Sequence, residues 1–409
     1  MFDFDSIHDR QAWSATKWVR YHDRDVIPLW IADMDFPVAP AIQEALAGYV
    51  AHGNFGYRSV PRELPQLLVE DHRRRYGWAV DPQWIVWLPG LVLGLNLAVK
   101  ACCAENERVI SFSPVYPPFL QAPVLQGRQL VDVPLRPTNA AGTVHAIDFD
   151  RLEEAVQRPA AADGALLPAT RLLLLCHPHN PIGRLFTPDE LDRLATFCDR
   201  HGLLVCSDEV HCDLILDGQT AHRPFARVMA ERSPALLART ITLHGPGKTY
   251  NVAGLGIAWA IIPDATLRRR FRAAMQRLVP DPCSFSYSAL QAVFSDCEPW
   301  RQALLAQLRV NRDQVSAALE RMGLAHSHPE VTYLTWIDAR ALAAEVGNAA
   351  AWFEEHGVGL SDGAEFGRPG YLRLNFAAPP ALLHEALQRM EHAIAALRQT
   401  SRRASGDSA

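Results

Sequence analysis

Six short apolar runs recur between helical patterns: Val109 to Phe112, Leu130 to Val133, Leu172 to Cys176, Leu203 to Cys206, Ile241 to Leu243 and Ile257 to Ile262. Such runs, alternating with helices, belong to a mostly parallel sheet, because the crossover that returns each strand in the same direction lays a helix over a face. The fold class is therefore α/β. One helix start is written out in full. Thr187-Pro188-Asp189-Glu190 supplies an N-cap hydroxyl, a proline at the first helical position and a glutamate to close a capping box. This predicts a helix to about His201, feeding the next strand.

After about residue 285 the alternation fades. Two long amphipathic patterns, Pro299 to Met322 and Pro379 to Leu397, flank short strand signals at Val331 to Ile337 and Tyr371 to Asn375. We expect a large domain over 46–285, with 1–45 and 286–400 forming a smaller α+β domain. Residues 401–409, polar and without periodicity, read as a disordered tail.

Lys+Arg 40 against Asp+Glu 45 gives a net charge of −5, so composition offers no footprint for nucleic acid or an anionic membrane. The eight cysteines include no Cys-x-x-Cys pair, and a chain of 409 residues has no need of disulfide staples. An acidic N-terminus, Met1-Phe2-Asp3-Phe4-Asp5, and the absence of any long apolar stretch place the protein in the cytoplasm as an expectation.

Ligands of open α/β sheets lie beyond the carboxyl ends of the strands. Four polar segments follow strand runs directly: Ser113 to Tyr116, His177 to Pro181, Asp208 to His211 and His244 to Lys248. Two readings of them fail. Gly247-Lys248-Thr249 imitates a phosphate loop, but the earlier glycine of that motif is replaced by Thr242. His177, His179, Asp208 and His211 have no metal-ligand spacing and read as satisfied or supporting histidines. An Asp, a Lys, an Asn and a Tyr converging on one crevice point instead to an anionic ligand that contains nitrogen.

Trp30 to Phe36, Phe55-Gly56-Tyr57, Asn180-Pro181-Ile182-Gly183, Ser207 to Asp213, Lys248-Thr249-Tyr250-Asn251 and Arg373-Leu374-Asn375 together resemble, in this order, the class I/II aminotransferase superfamily of pyridoxal-phosphate (PLP) enzymes. The segments Asp33-Met34-Asp35-Phe36 and Ser207 to Asp213 are most similar to the cystathionine β-lyase and cysteine-S-conjugate β-lyase subgroup. The resemblance implies that Lys248 forms a Schiff base with the cofactor and then moves the Cα proton. It implies that Asp208 pairs with the ring nitrogen, that Asn180 donates to the ring 3-oxygen with His211 beside it, and that Tyr116 stacks on the ring. Arg373, with Asn180, would take the substrate carboxylate, for which a planar two-donor fork is suited. Gly90, Leu91 and Val92 open a helix whose amides would hold the cofactor phosphate. Tyr57 would reach that phosphate from the neighbouring subunit of a homodimer with shared active sites.

Two positions depart from the family. Gly247 stands where many relatives carry a hydroxyl residue before the lysine, and Gly256 where aminotransferases proper carry an arginine. The missing arginine favours the lyases. The expected activity is PLP-dependent carbon–sulfur β-elimination from L-cystathionine or a related cysteine S-conjugate, a small amino-acid substrate. Its alternatives are an aminotransferase and a regulatory or binding protein on the same fold.

Overall fold

The computed structural model describes residues 2–139, 142–157, 168–218 and 221–405. Seven strands form the main sheet: β1 (Ile85–Leu88), β2 (Arg108–Ser111), β3 (Gln129–Asp132), β4 (Thr170–Cys176), β5 (Leu204–Asp208), β6 (Thr240–His244) and β7 (Ala258–Ile261). Their order is β1-β7-β6-β5-β4-β2-β3. The five strands from β6 to β3 are parallel, and β7 runs antiparallel to both β6 and β1. All six apolar runs lie in this sheet. Only β1 escaped them, a four-residue edge strand directly before Pro89-Gly90.

The continuous apolar runs follow from two-sided burial. Along β4, Leu172, Leu174 and Cys176 enter one core with Val109, Cys206 and Leu243, while Leu173 and Leu175 enter another with Ile110 and Val205. Successive side chains point to opposite faces, so a strand covered on both sides must be apolar at every position. The helix α1 (Leu91–Cys102) lies on the first face, and α2 (Pro188–Arg200) on the second. At the start of α2 the capping box is formed in both directions: Glu190 N donates to Thr187 Oγ1 at 3.2 Å, and Thr187 N donates to Glu190 Oε2 at 2.8 Å.

A smaller antiparallel sheet pairs β8 (Leu334–Asp338) and β9 (Ser361–Asp362) on either side of β10 (Tyr371–Asn375). Beside it run α3 (Glu298–Met322) and α4 (Pro380–Ser405). The expected tail therefore divides: 401–405 continue the last helix, and 406–409 lie outside the described residues. Near the N-terminus, Ile27 and Pro28 pair in parallel with Val358 and Gly359. Asn375 Nδ2 donates to the carbonyls of Ile31 at 2.7 Å and Asp33 at 2.8 Å, so the segment 29–36 is bound to β10. Asp35 fixes the same segment to the N-terminal residues through Arg10 at 2.7 Å and Lys17 at 2.6 Å. Among the described residues, no helix is long and apolar enough to cross a membrane.

Candidate active site

The carboxyl ends of β4, β5 and β6 bring Asn180, Asp208 and Lys248 to one cavity of about 210 Å³, which Tyr116 joins from the turn after β2. Gly90, Leu91 and Val92 line its opposite side. Gly90 caps α1 without a side-chain hydrogen bond, so the first amides of a twelve-residue helix face the cavity with no capping oxygen. His211 completes the wall.

Lys248 is half-buried, and its Nζ donates to the carbonyl of Ala32 at 2.7 Å. Burial lowers its pKa from 10.5 to about 8, with Asp33 opposing the fall and Arg373 adding to it. Asp208 shows the converse. Burial raises its pKa from 3.8 to about 7, and the backbone N–H of Val210, 3.1 Å from Oδ1, only partly offsets this. Arg373, on β10, is 4% exposed and is pushed down to about 10 by burial. Its guanidinium lies 4.6 Å over the Phe366 ring. Nη1 donates to Asn180 Oδ1 at 3.1 Å and Nη2 to the Trp30 carbonyl at 2.8 Å, while Nε has no partner. Among the described residues, none of Lys248, Asp208 and Arg373 has an opposite charge within ion-pair distance.

Burying charged groups without compensation is expensive, so three unpaired ionisable side chains in and beside one cavity form a site shaped for a ligand. It wants a cationic or proton-bearing nitrogen at Asp208, an electrophile at the Lys248 amine and a carboxylate at Arg373. An uncapped helix start offers a place for a phosphate. Because Asn180 Oδ1 is engaged by Arg373, the Asn180 Nδ2 group is the one left to donate. Burial raises the Tyr116 hydroxyl, so it stays protonated at neutral pH. His211 is held neutral by burial and then by the cations Lys248 and Arg373.

Tyr57 is not brought to this cavity by its own chain. It is fully exposed and borders a separate concavity of about 570 Å³ with Tyr49, His52 and Arg58. His177 and His179 also stay outside. His179 bridges the carbonyls of Cys176 and Pro114, fixing the turns that carry Asn180 and Tyr116, and His177 stacks on Phe186.

Sequence reading missed the backbone acceptors. The carbonyls of Trp30 and Ala32 hold Arg373 and Lys248, and Asn251 ties the lysine turn to the same segment through the Phe36 carbonyl at 2.8 Å. The motif Trp30 to Phe36 marked the segment without giving it a role. Gly256 has φ +63°, and a Cβ there would lie 3.3 Å from the Pro89 carbonyl. An arginine at that position would be strained.

Over 402 residues the chain is 32% identical to cystathionine β-lyase PatB of Bacillus subtilis, covering 96% of this chain and all of that one. The solved structure of OvoB superposes with a TM-score of 0.89 at 41% identity, over 96% of this chain and 99% of the other. Cystalysin of Treponema denticola, solved with pyridoxal 5'-phosphate, superposes with a TM-score of 0.88 at 28% identity, over 97% and 100%. A family model described as aminotransferase class I and II matches residues 24–390, and the chain belongs to that family.

Proposed function

We propose that the protein is a PLP-dependent carbon–sulfur β-lyase that converts L-cystathionine or a related cysteine S-conjugate to a thiol, pyruvate and ammonia. The observation that carries this reading is the set of three unpaired groups, the half-buried Lys248 and the buried Asp208 and Arg373, whose chemistry matches an aldehyde, a ring nitrogen and an amino-acid carboxylate. The relatives described as cystathionine β-lyases, and the left-handed backbone at Gly256, which an arginine would fit only under strain, favour elimination over amino transfer.

When bound, PLP supplies an aldehyde that captures the substrate amine and an electron-poor ring that draws charge away from Cα. The protein does the rest. Lys248, with a pKa near 8, is neutral in about a tenth of molecules at pH 7, against almost none at its ordinary 10.5, so its Nζ can accept the Cα proton and pass it to the sulfur of the departing thiolate. Asp208 keeps a proton on the ring nitrogen, and Asn180 Nδ2 donates to the ring 3-oxygen. Tyr116 covers the ring and narrows access for water. Arg373 exchanges its bond to the Trp30 carbonyl for the substrate carboxylate, which fixes the orientation of Cα. The amides at Gly90 to Val92 hold the phosphate.

The exposure of Tyr57 and Phe55 supports a homodimer in which Tyr57 reaches the partner's cofactor. The test is pyruvate release from L-cystathionine by PLP-loaded protein with no keto acid added. Steady release over many turnovers is the expected result. A stop after one turnover, with cofactor bound, would overturn elimination in favour of amino transfer.

A further inference from the structure

A second cavity, of about 290 Å³, shares no residue with the Lys248 cavity and is walled by Tyr76, Cys212, Asp213 and His222 among others. One ligand atom each from Cys212 and Asp213 of this wall and from His244 lie within 4.8 Å of one another, and all three residues are buried. Cys212 Sγ is 2.8 Å from His244 Nε2 and 3.0 Å from the Tyr76 hydroxyl, which also bonds Asp213.

A second feature points to a ligand independently of that cluster. His222, 5% exposed and on the wall of the same cavity, has no partner at Nδ1. Its Nε2 lies 2.7 Å from Glu209 Oε2, which takes a further bond from the backbone N–H of Phe225 at its other oxygen. A carboxylate holding one ring nitrogen leaves the other as a lone pair of fixed direction, the arrangement common around metal ions. His244 Nδ1 is likewise buried without a partner.

We propose that Cys212, Asp213 and His244 bind a borderline-soft divalent transition-metal ion, with zinc the best-fitting species, and that the fourth position faces the cavity walled by His222. One sulfur, one imidazole and one carboxylate suit zinc, and they exclude the all-oxygen shells of magnesium and calcium. With the Cys212 thiol donating, His244 Nε2 is the lone-pair nitrogen, the form a metal needs. Binding replaces the S–H bond by an S–Zn bond and releases the thiol proton to solvent; nothing is oxidised or reduced. Zn–S near 2.3 Å and Zn–N near 2.0 Å at a tetrahedral angle place the two ligand atoms about 3.6 Å apart. The present 2.8 Å must therefore open by about 0.8 Å, within reach of a small side-chain rotation. Arg75 lies 3.7 Å from Asp213, but it is already paired with Asp71 and Glu298. Cys212 follows His211 and His244 precedes the lysine turn, so the ion would join the two turns that carry the proposed active site.

The test uses the full PLP-loaded chain carrying Cys283→Ser, which removes the exposed cysteine as a competing ligand. Zinc alone is added, excess is removed, and the bound metal is counted and read by X-ray absorption. About one zinc per chain with a single sulfur scatterer near 2.3 Å is expected. Cobalt(II) in its place should give a thiolate charge-transfer band that Cys212→Ala removes. A shell of nitrogen and oxygen only, no retained metal, or a cobalt band that persists in Cys212→Ala would overturn the proposal. The X-ray absorption reading needs no change at the site, so it decides the matter even if Cys212→Ala fails to fold.

Discussion

Replacing Asp208 by asparagine should make the cofactor-free protein more stable while disabling it, and the gain should grow with pH. The folded-state pKa of Asp208, about 7, stands above its ordinary 3.8 because the carboxyl is buried. Below pH 3.8 the carboxyl is protonated in both folded and unfolded chains and costs nothing. As pH rises from 3.8 through 7 the unfolded chain ionises first, so stability is lost over that window. At 1.36 kcal/mol per tenfold change, the penalty is about 2 kcal/mol at pH 5 and about 4 kcal/mol at pH 8. Asparagine keeps the acceptor for the Val210 amide and carries no charge, so its advantage should increase by roughly 2 kcal/mol between these pH values. Loss of the attraction to Lys248 trims this figure. Urea unfolding of the PLP-free wild type and Asp208→Asn at both pH values measures it. A variant no more stable than wild type at pH 8, or a gain independent of pH, would refute the reasoning. With PLP bound the order should invert, because the ring nitrogen then compensates the wild-type carboxylate.

Lys248→Ala should abolish both pyruvate release and the visible absorbance of bound cofactor; undiminished turnover would remove the lysine from the mechanism. Arg373→Lys should raise KM at least about tenfold with a smaller change in kcat, since an ammonium cannot offer two parallel donors to a carboxylate. Equal losses in both, read from initial rates against substrate concentration, would argue against a carboxylate anchor. Thr187→Ala removes one half of the capping box at α2 and should cost about 1 kcal/mol, seen as a lower unfolding midpoint with unchanged activity per folded molecule. An unchanged midpoint would mean that tertiary packing alone fixes that helix start.

Most of the main sheet was legible because two-sided burial forces an unbroken apolar run, and Leu172 to Leu175 is that signal at its strongest. Ile85–Leu88 was not legible, since a four-residue edge strand carries too few positions to stand out from the helix that follows it. The side chains of the candidate site could be read because each follows a strand and belongs to a residue type with narrow chemistry. The acceptors at Trp30 and Ala32 could not, because a backbone carbonyl is present at every position and only the fold selects which ones are used. Cys212 and His244 escaped for a related reason. They are 32 residues apart in sequence, and only the adjacency of β5 and β6 brings them together.

The bond between Arg373 and the Trp30 carbonyl joins residues 343 positions apart, close to the two ends of the chain. A ribosome making this protein releases the first partner long before it makes the second. A chain that stops short of residue 373 can therefore have a complete seven-stranded sheet and still lack the guanidinium beside the cavity. The proposed carboxylate anchor is thus among the last parts of the site to be made, after every strand of the main sheet.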